Sequence, residues 1–176
     1  VESGEWRVGG EWIVESGGDR WTVKDPHFFE DQRGGVQFGF SSVRAKADLY
    51  IYDAGISNIG KMDLEQELRK AVLDIVYRYQ KDHPDAELYE LKFPESMYSH
   101  IRFINDALPI FVSNPPEDRI TFVSMGVANG CFHKVRYTQV VASDKKLSEK
   151  KVEGAFGISR FLNSLHLFLW DSGYFR

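Results

Sequence analysis

A chain of 176 residues, 43% hydrophobic and 27% charged, is the size of one domain with apolar side chains enough for one core, which excludes disorder over most of its length. Its 22 Lys and Arg against 26 Asp and Glu leave a net charge of -4, without the bulk positive field that draws proteins to nucleic acid or anionic lipid. The single cysteine, Cys131, excludes an intramolecular disulfide and every multi-cysteine zinc site.

Residues 1 to 23 carry Trp6, Trp12 and Trp21 between Gly9-Gly10 and Gly17-Gly18, the spacing of short strands joined by tight turns, and predict a tryptophan-rich meander at about 5–23. A two-residue Gly9-Gly10 turn sets Val8 opposite Glu11 and Arg7 opposite Trp12. The sequence opens at Val1 with no initiator methionine and no charged-then-apolar leader, so the expectation is a processed or trimmed chain of an exported protein. Residues 25 to 35, with Asp25-Pro26 and Gly34-Gly35, read as loop.

Alternation of Val36, Phe38 and Phe40 with Gln37, Gly39 and Ser41 predicts a half-buried strand. In the next strand, residues 47 to 53, Ala47, Leu49 and Ile51 point to one face, and Asp48, Tyr50 and Tyr52 to the other. Leu64, Leu68, Ala71, Val72, Ile75, Val76 and Tyr79 recur at helical spacing and predict a core-facing helix over about 63–81. Opposite that stripe, the pairs Glu65–Arg69 and Asp74–Arg78 mark a solvated face, and His83-Pro84 ends the helix.

Beyond a segment rich in Pro, Tyr and Glu, residues 101 to 112 read as an apolar strand interrupted at Asn105-Asp106 and Pro109, with Pro109 at an edge or bulge. Asn129-Gly130 is the strongest hairpin signal, because both positions of its turn need positive φ. A two-residue loop there pairs Ala128 with Cys131, Gly126 with His133, Met125 with Lys134, Val123 with Arg136 and Phe122 with Tyr137, so Lys134 and Arg136 share a face. The last element, about 148–170, is apolar nearly all round its circumference and is expected to be buried. Gly154 and Gly157 weaken it, and close packing of its backbone on the sheet is the compensation expected. Its apolar run is broken by Arg160, Asn163 and His166 and falls short of the ~20 residues that cross a bilayer, so no transmembrane segment is expected.

Candidate chemistry is sparse. Cys131 and His133 lie two apart on one strand face, the arrangement a thiol enzyme or hydrolase would need, but no helix N-terminus or nucleophile motif accompanies them. His27, His83, His100, His133 and His166 are scattered without ligand spacing, so no metal is expected; no glycine-rich phosphate loop is present, and no cofactor is expected. The carboxylates of Asp82 with Asp85 and of Glu117 with Asp118 read as solvated loop residues. What remains is a binding surface of Asp48, Tyr50 and Tyr52 on one strand with Lys134 and Arg136 on another, provided that the two faces belong to one side of the sheet.

Residues 47 to 55 (Ala-Asp-Leu-Tyr-Ile-Tyr-Asp-Ala-Gly) and 129 to 138 (Asn-Gly-Cys-Phe-His-Lys-Val-Arg-Tyr-Thr) resemble uncharacterised exported bacterial proteins, and the order of elements resembles the PsbP-like α/β/α sandwich. The resemblance spans about residues 36–172 in outline and implies fold and export more than activity. The expectation is therefore one α+β domain over 1–176, a mostly antiparallel sheet packed against two main helices. Its expected role is non-catalytic binding or an accessory function in the cell envelope, periplasmic or secreted, toward a protein or small-molecule partner and not nucleic acid. The alternatives are a thiol enzyme using Cys131 and His133, and a structural subunit of a larger assembly, which would expose an apolar patch.

Overall fold

The computed structural model describes residues 13–16, 19–30 and 35–175. Strands β1 (Ile13–Ser16), β2 (Asp19–Val23), β3 (His27–Phe29), β4 (Gly35–Ser41) and β5 (Ala45–Tyr52) precede helix α1 (Lys61–Asp82). Strands β6 (Glu87–Glu90), β7 (Asp106–Ser113), β8 (Glu117–Ala128) and β9 (Cys131–Ala142) and helix α2 (Leu147–Asp171) follow. The described strands form one antiparallel sheet in the order β1-β2-β4-β5-β9-β8-β7-β6, with β3 sharing the outer edge of β4 with β2. The fold is thus α+β, an antiparallel sheet packed against helices.

The hairpin at Asn129-Gly130 forms in the register expected from its turn, from Ala128 opposite Cys131 to Phe122 opposite Tyr137. Ile120, Phe122, Val135 and Tyr137 face one way and join Ala47, Leu49 and Ile51 of β5 in a core closed by Ile158, Phe161, Leu162, Leu165 and Leu169 of α2. Val123, alternating with Phe122, faces the other way into a smaller cluster with Ile110, Val112, Ile75 and Tyr79. The two helices therefore cover opposite faces of the sheet. Every residue of the apolar stripe read on α1 is buried or half-buried, while Leu73 and Tyr77 outside it are exposed. Gly60 opens the helix by donating its backbone N–H to Asp63 at 2.8 Å, and His83 caps its end.

Some expectations need correction. His27–Phe29 is a strand inside the segment read as loop. The strand expected over 101–112 begins only at Asp106, and Ile101, Phe103 and Ile104 are buried in the turns before it, where their apolar character serves core contact without a ladder. Pro109 is next to an edge: the β6 ladder ends at Glu90 opposite Ile110, and the Pro109 carbonyl accepts from Leu91. A residue's N–H and C=O point to the same side of a strand, so the missing proline donor falls where β6 has ended. The Asp118 carboxylate is not solvated; it lies in β8, accepts from Lys150 Nζ at 2.6 Å, and both side chains are buried. Helix α2 is not covered all round, for Val152, Phe156, Leu167 and Trp170 form an exposed outer stripe. The Gly9-Gly10 turn, with its pairs Val8–Glu11 and Arg7–Trp12, lies outside the described residues; β1 and β2 pair antiparallel from Ile13 opposite Thr22 to Ser16 opposite Asp19.

Close packing at the two helix glycines is visible atom by atom. A Cβ on Gly154 would lie 2.3 Å from Ile120 Cδ1, and one on Gly157 would lie 2.1 Å from Gln139 Oε1. Replacing Gly154 by alanine gains about 1 kcal/mol of helix propensity, yet the overlap with Ile120 is the larger effect. In urea unfolding, Gly154→Ala is expected to lose about 1–3 kcal/mol, and Ile120→Val in the same chain to recover part of that loss by removing the clashing methyl. A stabilised single variant would contradict the close approach.

Candidate functional site

Strand β5 lies directly beside β9, and the register places Asp48 opposite Arg136, Tyr50 opposite Lys134 and Tyr52 opposite Phe132. The five residues singled out in the sequence are therefore on one side of the sheet, the side covered by α1. Lys134 Nζ sits 4.4 Å from the centre of the Tyr50 ring and 5.6 Å from that of Tyr52, within the range where an aromatic face attracts a cation. Burial lowers the Lys134 pKa, opposed by the nearby carboxylates of Glu67 and Asp74. Burial, then the Asp48 charge, raises that of the Tyr50 hydroxyl. Among the described residues, neither Lys134 nor Arg136 has a hydrogen bond or ion pair to a carboxylate.

A cleft of about 180 Å³ opens between α1 and these strands, walled by Tyr50, Lys134 and Arg136 from the sheet and by Ala71, Asp74 and Arg78 from the helix. Asp48 and Tyr52 flank it without lining it. Gln37 Nε2 on β4 donates to Asp48 Oδ1 at 2.8 Å, and the Tyr52 hydroxyl donates to Glu67 Oε2 at 3.0 Å. Glu67 also accepts from Lys70 at 2.7 Å. The Asp74–Arg78 pair forms as read, with Nε 3.1 Å from Oδ1 and both side chains more than half exposed, and it stands at the mouth of the cleft. Sequence reasoning missed Glu67 and Gln37. The helical spacing that puts Glu67 beside Leu64 and Leu68 rather than on the outer face was the available signal.

Cys131 and His133 share the opposite face, toward the end of α2. His133 is fully buried; its Nδ1–H donates to the Cys131 carbonyl at 3.1 Å, which leaves Nε2 to accept from the Tyr174 hydroxyl at 2.9 Å. Burial lowers its pKa to about 4 and raises that of the Cys131 thiol. A thiolate–imidazolium pair is disfavoured at both ends by the same cause, and both imidazole nitrogens are already occupied. Among the described residues no three His, Cys, Asp or Glu side chains cluster to hold a metal ion, and no helix is long and apolar enough to cross a membrane.

The fold and the cleft define an α+β domain with a helix on each face of an antiparallel sheet. No family model, no curated protein and no solved structure matches the chain.

The His133 environment fixes a pH dependence. An imidazole whose folded pKa lies below its unfolded value of 6.5 binds fewer protons in the native state, so stability falls as pH drops from about 6.5 to about 4 and levels off below. The expected loss is up to about 3 kcal/mol. Denaturant midpoints at a series of pH values check this against His133→Gln, whose profile over that interval should be flatter by that amount.

Proposed function

We propose that the chain is a non-catalytic binding or accessory protein of the cell envelope, and that the cleft between α1 and the sheet is its ligand site. The observation that carries this reading is Lys134: a half-buried ammonium on two tyrosine faces, without a carboxylate partner, next to an Arg136 that also lacks one. Desolvating a cation without a partner is costly, so a site that does so is arranged for a charge arriving from outside. A small anion with one or two acidic groups would complete it, bound by Lys134 and Arg136 with the Tyr50 ring as an apolar wall. The resemblance of residues 47 to 55 and 129 to 138 to exported bacterial proteins supports the place in the envelope, and helices on both faces of the sheet support the PsbP-like reading of the fold.

Calorimetric titration with succinate and with inorganic phosphate tests the site. Lys134→Met and Arg136→Met are each expected to weaken the bound anion about tenfold, the effect of one charge-assisted contact. Lys134→Met should cost little stability, because it replaces a buried charge by an apolar chain of similar length. Affinity in both variants unchanged from that of the unsubstituted chain, or no binding of either anion, would refute the site.

A second reading, a subunit of a larger assembly, is favoured by the outward stripe of Val152, Phe156, Leu167 and Trp170 on α2. Sizing over a dilution series discriminates. That reading predicts a concentration-dependent oligomer that Trp170→Glu abolishes, and a monomer at every concentration would remove self-association through this face.

A further inference from the structure

A second cleft, on the opposite face of the sheet from the Lys134 site, collects hydrogen-bond donors that the fold leaves without acceptors. It has a volume of about 180 Å³ and lies where the β4–β5 turn meets β9 and the middle of α2. Trp21, Tyr137 and Gln139 line it from the sheet, Arg44 from the turn, and Phe156 and Arg160 from the helix.

Trp21 is 2% exposed, and its indole Nε1–H has no partner, a condition that costs a buried donor its hydration without return. Gln139 is 5% exposed; its Oε1 accepts the Tyr137 hydroxyl at 2.7 Å, which leaves the amide Nε2 as a donor with no acceptor among the described residues. Gly157 lets the floor lie against bare helix backbone, since a Cβ there would be 2.1 Å from Gln139 Oε1 and 2.5 Å from the Tyr137 hydroxyl. At the mouth, Arg44 approaches Glu153 only to 3.7 Å, beyond hydrogen-bonding length, while Glu153 accepts from Lys145 at 2.6 Å. Glu153, the carboxylate that lines the cleft, is thus held by Lys145, and the Arg44 guanidinium keeps its donors. Phe156, 61% exposed, forms an apolar wall that a ligand would cover.

We propose that this cleft binds a small aromatic carboxylate, whose oxygens accept from the Trp21 indole, the Gln139 amide and the Arg44 guanidinium while its ring lies against Phe156. Apart from the Ser42 hydroxyl and the Glu153 carboxylate, which Lys145 holds, the polar groups named here offer donors, so the ligand must present acceptors. Two donors on the floor and a planar guanidinium at the mouth match the two coplanar oxygens of a carboxylate better than a tetrahedral anion. The site is independent of the Lys134 cleft, from which the sheet separates it.

Benzoate is the probe, and the Trp21 indole N–H resonance of the full chain is the readout, assigned by its loss in Trp21→Phe. The expected result is a saturable downfield shift of that resonance with the Trp170 indole unmoved. Arg44→Gln, a change to a side chain 75% exposed and so without effect on folding, should weaken the binding about tenfold. Lys134→Met should leave it unchanged, which separates this site from the first. An unmoved Trp21 resonance, a shift that does not saturate, an equal shift with inorganic phosphate, or full affinity in Arg44→Gln would each overturn the proposal.

Discussion

Asn129 and Gly130, at φ values of 50° and 73°, close β8 onto β9 in two residues, and a loop that short leaves one register for the 12-residue strands it joins. Those strands are the middle of the sheet, with β5 packed beside β9 and β7 beside β8. Because side chains alternate with period two, a slip of one residue would send Lys134 and Arg136 into the apolar layer under α2 and turn Val135 and Tyr137 toward α1. The turn is also tied to the far end of the chain. Asn129 Nδ2 donates to the Tyr174 carbonyl at 2.8 Å, and Phe175 folds back onto Phe103 with nearly parallel rings 5.9 Å apart. One local choice of turn residues thus decides which side of the sheet is core and which carries charge.

The two layers differ in kind. Under α2 the packing is aromatic, with Phe40 and Tyr137 both against Phe161, and the helix start is pinned by Lys150 between the Asp118 carboxylate and the Ser143 carbonyl. Removing either member of that buried pair would strand the other, so it constrains where α2 starts more than it adds net stability. Under α1 the apolar cluster covers only the β7–β8 side; toward β9 it gives way to Tyr79, Thr121 and Thr138, linked hydroxyl to hydroxyl, and then to Arg136 and Lys134. A helix that covers half of its face leaves a cleft over the other half, and the charged strand residues line it.

Much of this was legible in the sequence where periodicity is strong and local. The Asn-Gly turn implied the register of β8 and β9 from Ala128 opposite Cys131 back toward Arg119, which the ladder then continues through Asp118 and Glu117, and the stripe from Leu64 to Tyr79 implied the buried face of α1. Strands β3 and β6 were not legible. His27–Phe29 is three residues long with every side chain exposed, and Glu87–Glu90 is a mostly exposed edge strand, so neither alternates between apolar and polar. The outer stripe of α2 was misread because apolar content reports what a helix could bury and not what the chain supplies to cover it. For the candidate site, Tyr50, Lys134 and Arg136 followed from strand alternation plus the hairpin register. That β5 lies beside β9 is a long-range fact, as is the reach of Glu67 to Tyr52 and of Gln37 to Asp48, and no local pattern encodes it. The Trp21 cleft draws on strand, turn and helix more than a hundred residues apart in the chain, which puts it beyond any local reading.

Nuclear Overhauser contacts of the Lys134 side chain test the central register most directly. The account predicts that the Lys134 ε-methylene protons are shifted upfield by the Tyr50 ring and show cross-peaks to it, because the ammonium lies 4.4 Å from the ring centre. Lys134 methylenes at their unstructured position, or with cross-peaks to α2 residues such as Phe161, would place that side chain in the other layer and contradict the register on which both faces depend.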